Sequence, residues 1–247
     1  MKLSQSAAYA FALLAAASLP HSKAEEVKGL SKWYVTGSVG LSNPSDVESE
    51  KDNFSFNSNS VSTQYILEHD DGAEYTFGVG YYLAPETRLE LNYTNTNYDL
   101  NKAGIDGTLN STQATVKIPA NHDASVDSFI LSINQDFPYS NGWKPFVGAG
   151  IGFSNVSVND TTASLTALGS ALGANLGTET ILYGSDNTVF TYQLRGGVAK
   201  DVSKNADLFA EVSYTGTEGF SAGSGASKID WKAVNNISIK AGARYRF

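Results

Sequence analysis

From Lys32 to Phe247 the chain returns again and again to a two-residue alternation, and across the middle of each segment one of the two faces it creates holds no charged residue. Alternation of this kind is the mark of a strand whose two sides meet different surroundings. Eight segments carry it: 32–41, 74–83, 87–97, 126–137, 144–154, 188–200, 206–215 and 235–247. In the first, Trp33, Val35, Val39 and Leu41 oppose Tyr34, Thr36 and Ser38; in the third, Leu89, Leu91 and Tyr93 oppose Arg88, Glu90 and Asn92. In the fourth, Phe129, Leu131 and Ile133 oppose Ser128, Ser132 and Asn134, and Ile130 breaks the pattern. The opposite face collects Glu74, Arg88, Glu90, Arg195, Asp207, Glu211, Lys240, Arg244 and Arg246. A charge turned toward lipid at mid-membrane costs roughly 2–4 kcal/mol, so a lipid-facing surface would enforce such exclusion. The expectation is an all-β, antiparallel, up-and-down transmembrane barrel of about eight strands.

A soluble barrel also alternates, with its apolar residues turned inward around a ligand. Three features favour the membrane. The polar face is rich in Gly, Ser and Thr rather than in charge. Connections alternate in length, with 84–86, 138–143 and 201–205 short and 42–73, 98–125, 155–187 and 216–234 long, as expected for short periplasmic turns and long external loops. Aromatic residues gather toward the strand ends: Trp33, Tyr81, Tyr82, Trp143, Tyr245 and Phe247 at the short turns, and Tyr75, Tyr93, Phe153, Phe190 and Tyr214 toward the long loops. Two such belts suit two membrane–water interfaces. The stretches VSTQYIL and TQATVKI within the long loops are also β-prone, which leaves eight or ten strands open.

Residues 1–24 read as an export signal: Lys2 at the start, an uncharged and mostly apolar run from Ala7 to Leu19, then small Ser22 and Ala24 two apart. The run is shorter than the roughly 20 residues of a spanning helix. Cleavage after Ala24 would leave residues 25–247 as the barrel domain. The chain carries a net charge of −8, which disfavours binding to nucleic-acid phosphates. It has no cysteine, which removes disulfides and thiolate metal sites.

The last residues place polar Lys240, Gly242, aromatic Tyr245 and terminal Phe247 in phase. This resembles the C-terminal assembly signal of bacterial outer-membrane barrels. The runs KWYVTGSVGL, KPFVGAGIGFS and YQLRGGVAKDVSKNADLFAEVSY are similar to those of the small eight-stranded surface-antigen and OmpA-like barrel superfamily. The resemblance implies contact with outer-membrane lipid, insertion by the barrel assembly machinery and exposed long loops that could meet surface ligands. It implies no catalytic residue and no cofactor.

Eight strands close around an interior that side chains can fill. Inward Arg88, Glu90, Arg195, Glu211, Lys240 and Arg244 supply both signs of charge, because an unpaired buried charge would be costly. They can form a structural network or line a narrow ion path. The loop 42–73 is acidic, with Asp46, Glu48, Glu50 and Asp52, but has no EF-hand spacing. In the loop 155–187, Leu165, Leu168, Leu172 and Leu176 suit either a short helix or a flexible Gly/Ala segment. For catalysis only His69 beside Asp70 and Asp71, or His122 beside Asp123, offers an imidazole in the mature chain, and no nucleophile elbow or phosphate loop accompanies them. The expected role is structural or surface-interacting, with a small ion-conducting porin as the alternative and a loop-carried outer-membrane hydrolase as a third reading.

Overall fold

A computed structural model describes residues 31–56, 59–109, 112–164, 178–182, 184–222 and 229–247. The export signal expected over 1–24 and the Leu/Gly stretch 165–177 lie outside these residues. Eight strands make a closed ring: β1 (Trp33–Pro44), β2 (Gly72–Ala84), β3 (Thr87–Leu109), β4 (Thr112–Asp136), β5 (Trp143–Val158), β6 (Ser185–Asp201), β7 (Ala206–Thr217) and β8 (Asn235–Arg246). Each pairs antiparallel with the next in sequence. The ring closes where Tyr34 to Pro44 of β1 meet Arg246 to Asn236 of β8.

Register fixes the shape of the cylinder. Followed from Tyr34 through Gly80, Glu90, Ser132, Gly150, Gln193, Thr215 and Asn236, the pairing returns to β1 at Pro44, ten residues farther along. With strands ~4.8 Å apart and ~3.3 Å of rise per residue, this stagger tilts them about 40° from the axis. Eight strands at that tilt leave room for side chains rather than for an aqueous channel.

The alternation resolves as outside against inside. Leu91, Leu131 and Ile239 are 51, 47 and 66% exposed, whereas Arg88, Arg195 and Lys240 are buried in the lumen. Tight connections join β2 to β3, β4 to β5 and β6 to β7. In the second of these, Asn141 and Gly142 take φ of 61° and 74°, a left-handed turn that suits Asn-Gly.

Two of the long connections, 42–73 and 98–125, are built largely of strand among the described residues. The segment 98–125, expected as a loop, is mostly the continuation of β3 and β4, paired from Tyr98↔Ala124 to Leu109↔Thr112 with one irregularity. TQATVKI therefore lengthens β4. VSTQYIL instead lies within a separate strand, Asn59–His69, that pairs with β3 from Leu109 to Leu100. The acidic stretch adds Val47–Glu48 and Asp52–Phe56 along the same strand. From Tyr98 to Leu109 the hairpin runs roughly 35 Å beyond the ring at ~3.3 Å per residue. The physical reason is that backbone groups leaving the barrel still need partners, and a β-prone chain finds them in its neighbour.

Candidate functional site

Inside the ring the charged side chains form one descending series of alternating sign. Near the long-loop end, Glu74 accepts from Lys240 at 2.7 Å, and Lys240 also reaches Glu211 at 3.2 Å. Glu211 pairs with Arg195, and Arg195 Nη1 reaches Glu90 Oε1 at 2.7 Å. Glu90 Oε2 lies 2.8 Å from Arg88 Nη1, and Arg88 Nε lies 3.1 Å from Asp136. Asp136 is 3.6 Å from Arg244, which holds Asp207 at 3.1 Å; Lys144 then bridges Asp207 and Asp201 at the short-turn end. The structure thus brings Arg88, Glu90, Arg195, Glu211, Lys240 and Arg244 together. It adds Glu74, Asp136, Asp207 and Lys144, which the residue-by-residue reading did not place in the network.

Neutral groups complete it. Tyr34 donates to Glu90 Oε2 at 2.7 Å, Asn92 to Glu90 Oε1 at 2.9 Å and Ser238 to Glu74 at 2.6 Å. The Phe146 ring lies 5.1 Å from the Arg88 guanidinium and 6.0 Å from that of Arg195. Phe146 and Tyr34 are aromatic residues on the polar face, and that mismatch was the available signal that they stack against inward guanidinium groups. Tyr82, counted above with the lower belt, points inward and meets Arg244 at 3.1 Å. A side chain one position off the apolar phase cannot face lipid.

Of the belt residues, Trp33 packs on Tyr81 edge-to-face at 5.0 Å, and Trp143 is exposed at the short-turn end across the ring from them. Toward the loops, cross-strand register aligns Phe77, Tyr93, Phe129, Phe153 and Phe190, while exposed Tyr75 and Tyr214 occupy neighbouring rows. Of the C-terminal set, Lys240 and Gly242 face the lumen side, and Tyr245 and Phe247 meet edge-to-face outside at 5.8 Å.

Above the ladder the lumen changes character. A small hairpin, Phe220–Ala222 with Ile229–Trp231, bends over the mouth. Trp231 is buried with Leu67 and Ala103, and Val47, Tyr65, Phe220 and Ile229 pack around them. The acidic loop latches this lid: Ser49 bridges Trp231, Lys232 N donates to Glu48 O at 2.9 Å, and Lys232 Nζ reaches Glu48 Oε2 at 2.8 Å. The bond from Lys232 holds the Glu48 carboxyl below the usual carboxylate range.

Between lid and ladder lies a cavity of about 110 Å³. Ile130, the residue that broke the outward pattern, points into the barrel at 2% exposure and lines this cavity. His69 lines it too, its ring edge-on to Tyr98 at 6.3 Å, whereas the side chain of His122 lies outside the described residues.

The model of the outer membrane protein beta-barrel domain family matches residues 9–247. No curated protein matches the chain. Among solved structures, Neisserial surface protein A is 21% identical over 89% of this chain and 100% of its own, with a TM-score of 0.51. The outer membrane protein OprG from Pseudomonas aeruginosa is 14% identical over 88% and 97%, with a TM-score of 0.48. The attachment invasion locus protein of Yersinia pestis is 9% identical over 87% and 99%, with a TM-score of 0.41.

Proposed function

The chain belongs to the outer membrane protein β-barrel family, a family of the bacterial outer membrane, and from that premise we propose a closed-lumen barrel that presents a stiff β-platform for surface recognition. The reading is supported by the combination of a lumen filled with paired charges and a hairpin that continues the barrel wall well beyond it. A loop that is hydrogen-bonded strand for most of its length loses little entropy on binding, so contact energy is not spent on ordering it. Its partners in this reading are outer-membrane lipid around the apolar face, the barrel assembly machinery that recognises the Lys240, Gly242, Tyr245 and Phe247 strand, and an external surface ligand. The mature chain would follow removal of residues 1–24.

The porin alternative needs a water column past the ladder. Removing any one charge from its partner would strand a buried ion, so the paired state opposes opening. A hydrolase would need a carboxylate free to orient His69. On the same cavity wall the Glu74 carboxylate is engaged by Lys240 and Ser238.

Two measurements on the folded protein test the proposal. In planar bilayers it stays silent, and steady conductance steps would overturn the closed lumen. Cells displaying the protein adhere to host-type surfaces, and a form shortened across residues 101–121 keeps heat-modifiable gel mobility but loses adhesion. Adhesion unchanged by the shortening would remove the platform from the reading.

A further inference from the structure

The upper lumen is lined against the rule that governs the rest of the barrel. Along β4 and β5 the inward positions turn mostly apolar toward the mouth, with Val126, Ile130, Val156 and Val158 on the cavity wall, Ser128 and Ser154 hydrogen-bonded to each other between them, and Trp231 closing it from above. An inward-facing apolar wall brings nothing to the charge ladder beneath it, and it leaves space where side chains elsewhere fill the lumen.

The floor has a different chemistry. Asn236 donates through Nδ2 to Ser42 Oγ at 2.8 Å and to Tyr98 OH at 3.0 Å, which fixes its amide plane. Its Oδ1 is buried and has no hydrogen-bond partner among the described residues. Such an acceptor is costly to leave unmet, and a donor brought by a guest would satisfy it. Glu74, at the same floor, is already neutralised by Lys240, so a cationic guest finds no unmatched carboxylate there, and an anionic one would stand against that carboxylate and an apolar wall.

We propose that this cavity binds a small neutral amphiphile, an apolar body with one hydroxyl or N–H donor, held between Trp231 and Asn236. Size limits the guest: an engineered apolar cavity of about 150 Å³ accepts benzene, so about 110 Å³ here admits at most a single small ring or a short alkyl chain. The apolar part contacts Val126, Ile130 and the indole, and the donor end satisfies the amide oxygen. The site lies above the ion ladder, so occupancy does not require an open channel.

The sequence contains three tryptophans, and the Trp33→Phe/Trp143→Phe variant leaves Trp231 as the sole emitter. In lipid nanodiscs this full-length barrel is titrated with benzyl alcohol, toluene and benzoate while Trp231 fluorescence is followed. Benzyl alcohol gives a saturable change, toluene binds about five-fold more weakly because it lacks the donor, and benzoate gives none. Val126→Phe fills the wall and removes the saturable response while heat-modifiable mobility is retained. A response that never saturates, equal binding of toluene and benzyl alcohol, or saturable binding of benzoate would overturn the proposal. An unchanged response in folded Val126→Phe would do the same. Should that variant fail to fold, the discrimination among the three probes on the parent barrel still decides.

Discussion

At Gly80 a Cβ would stand 1.9 Å from Cζ of Tyr34, a distance no side chain tolerates. The glycine exists because β1 sends a full phenol ring inward across β2, and that phenol donates to Glu90 in the middle of the ladder. Gly80→Ala would have to displace Tyr34 and so disturb Glu90 as well. Gly196 is a control, since its nearest neighbour to a new Cβ is a carbonyl oxygen at 3.7 Å. Gly80→Ala is expected to lower the urea midpoint of unfolding in lipid clearly, and Gly196→Ala to leave it nearly unchanged. A second prediction concerns the ladder itself. Glu90 touches Arg88, Arg195, Tyr34 and Asn92, so Glu90→Ala leaves two guanidinium groups buried without it. Removing one partner of a buried pair costs about 3–5 kcal/mol, to be read as loss of unfolding free energy in the same assay. An effect below about 1 kcal/mol would mean that water enters the lumen and screens these charges.

The lid is fastened outside the ring of eight strands, and its response to acid follows from Glu48. Lys232 depresses the carboxyl of Glu48 in the folded state, so the contact adds stability above the ordinary carboxylate range. That contribution disappears as pH falls through the lowered value. Because both partners are partly exposed, the contribution is roughly 0–1 kcal/mol. With Trp231 as sole emitter, its spectrum is expected to shift to the red between pH 7 and pH 3, and Lys232→Ala to show part of that shift already at pH 7. A spectrum unchanged over that range would place the fastening in the Leu67–Trp231 apolar cluster alone. This element was also the least legible in the sequence. Barrel strands announce themselves because lipid and lumen impose opposite demands on neighbouring residues, as in Leu89 to Asn92. Trp231 lies in a stretch without that contrast, and its partners Leu67 and Ala103 come from distant parts of the chain. Inward Arg88 and Glu90 could be read from phase alone. The pairing of Arg195 with Glu90 could not, since it depends on which strands face each other across the lumen. Ile130 was legible as an exception, although its purpose needed the cavity to be visible.

For the whole molecule, the surrounding solvent is lipid outside and protein inside, and substitutions divide accordingly. Leu131 and Ser132 are adjacent on β4, yet the first is 47% exposed toward lipid and the second is 1% exposed toward the lumen. Leu131→Arg is expected to cost about 2–4 kcal/mol, by the penalty for a charge at mid-membrane depth. Leu131→Phe should cost far less, and the two are compared by unfolding from lipid. Equal effects would contradict the membrane orientation of the apolar face.

The ring also brings its two ends together, with Ser31 N donating to Phe247 O at 2.6 Å beside the β1–β8 seam. Neighbours in the cylinder are therefore independent of which strand is synthesised first. A circularly permuted protein, linked from Phe247 to Ser31 and cut in the short turn at 202–205, would contain the same eight staves in the same cyclic order.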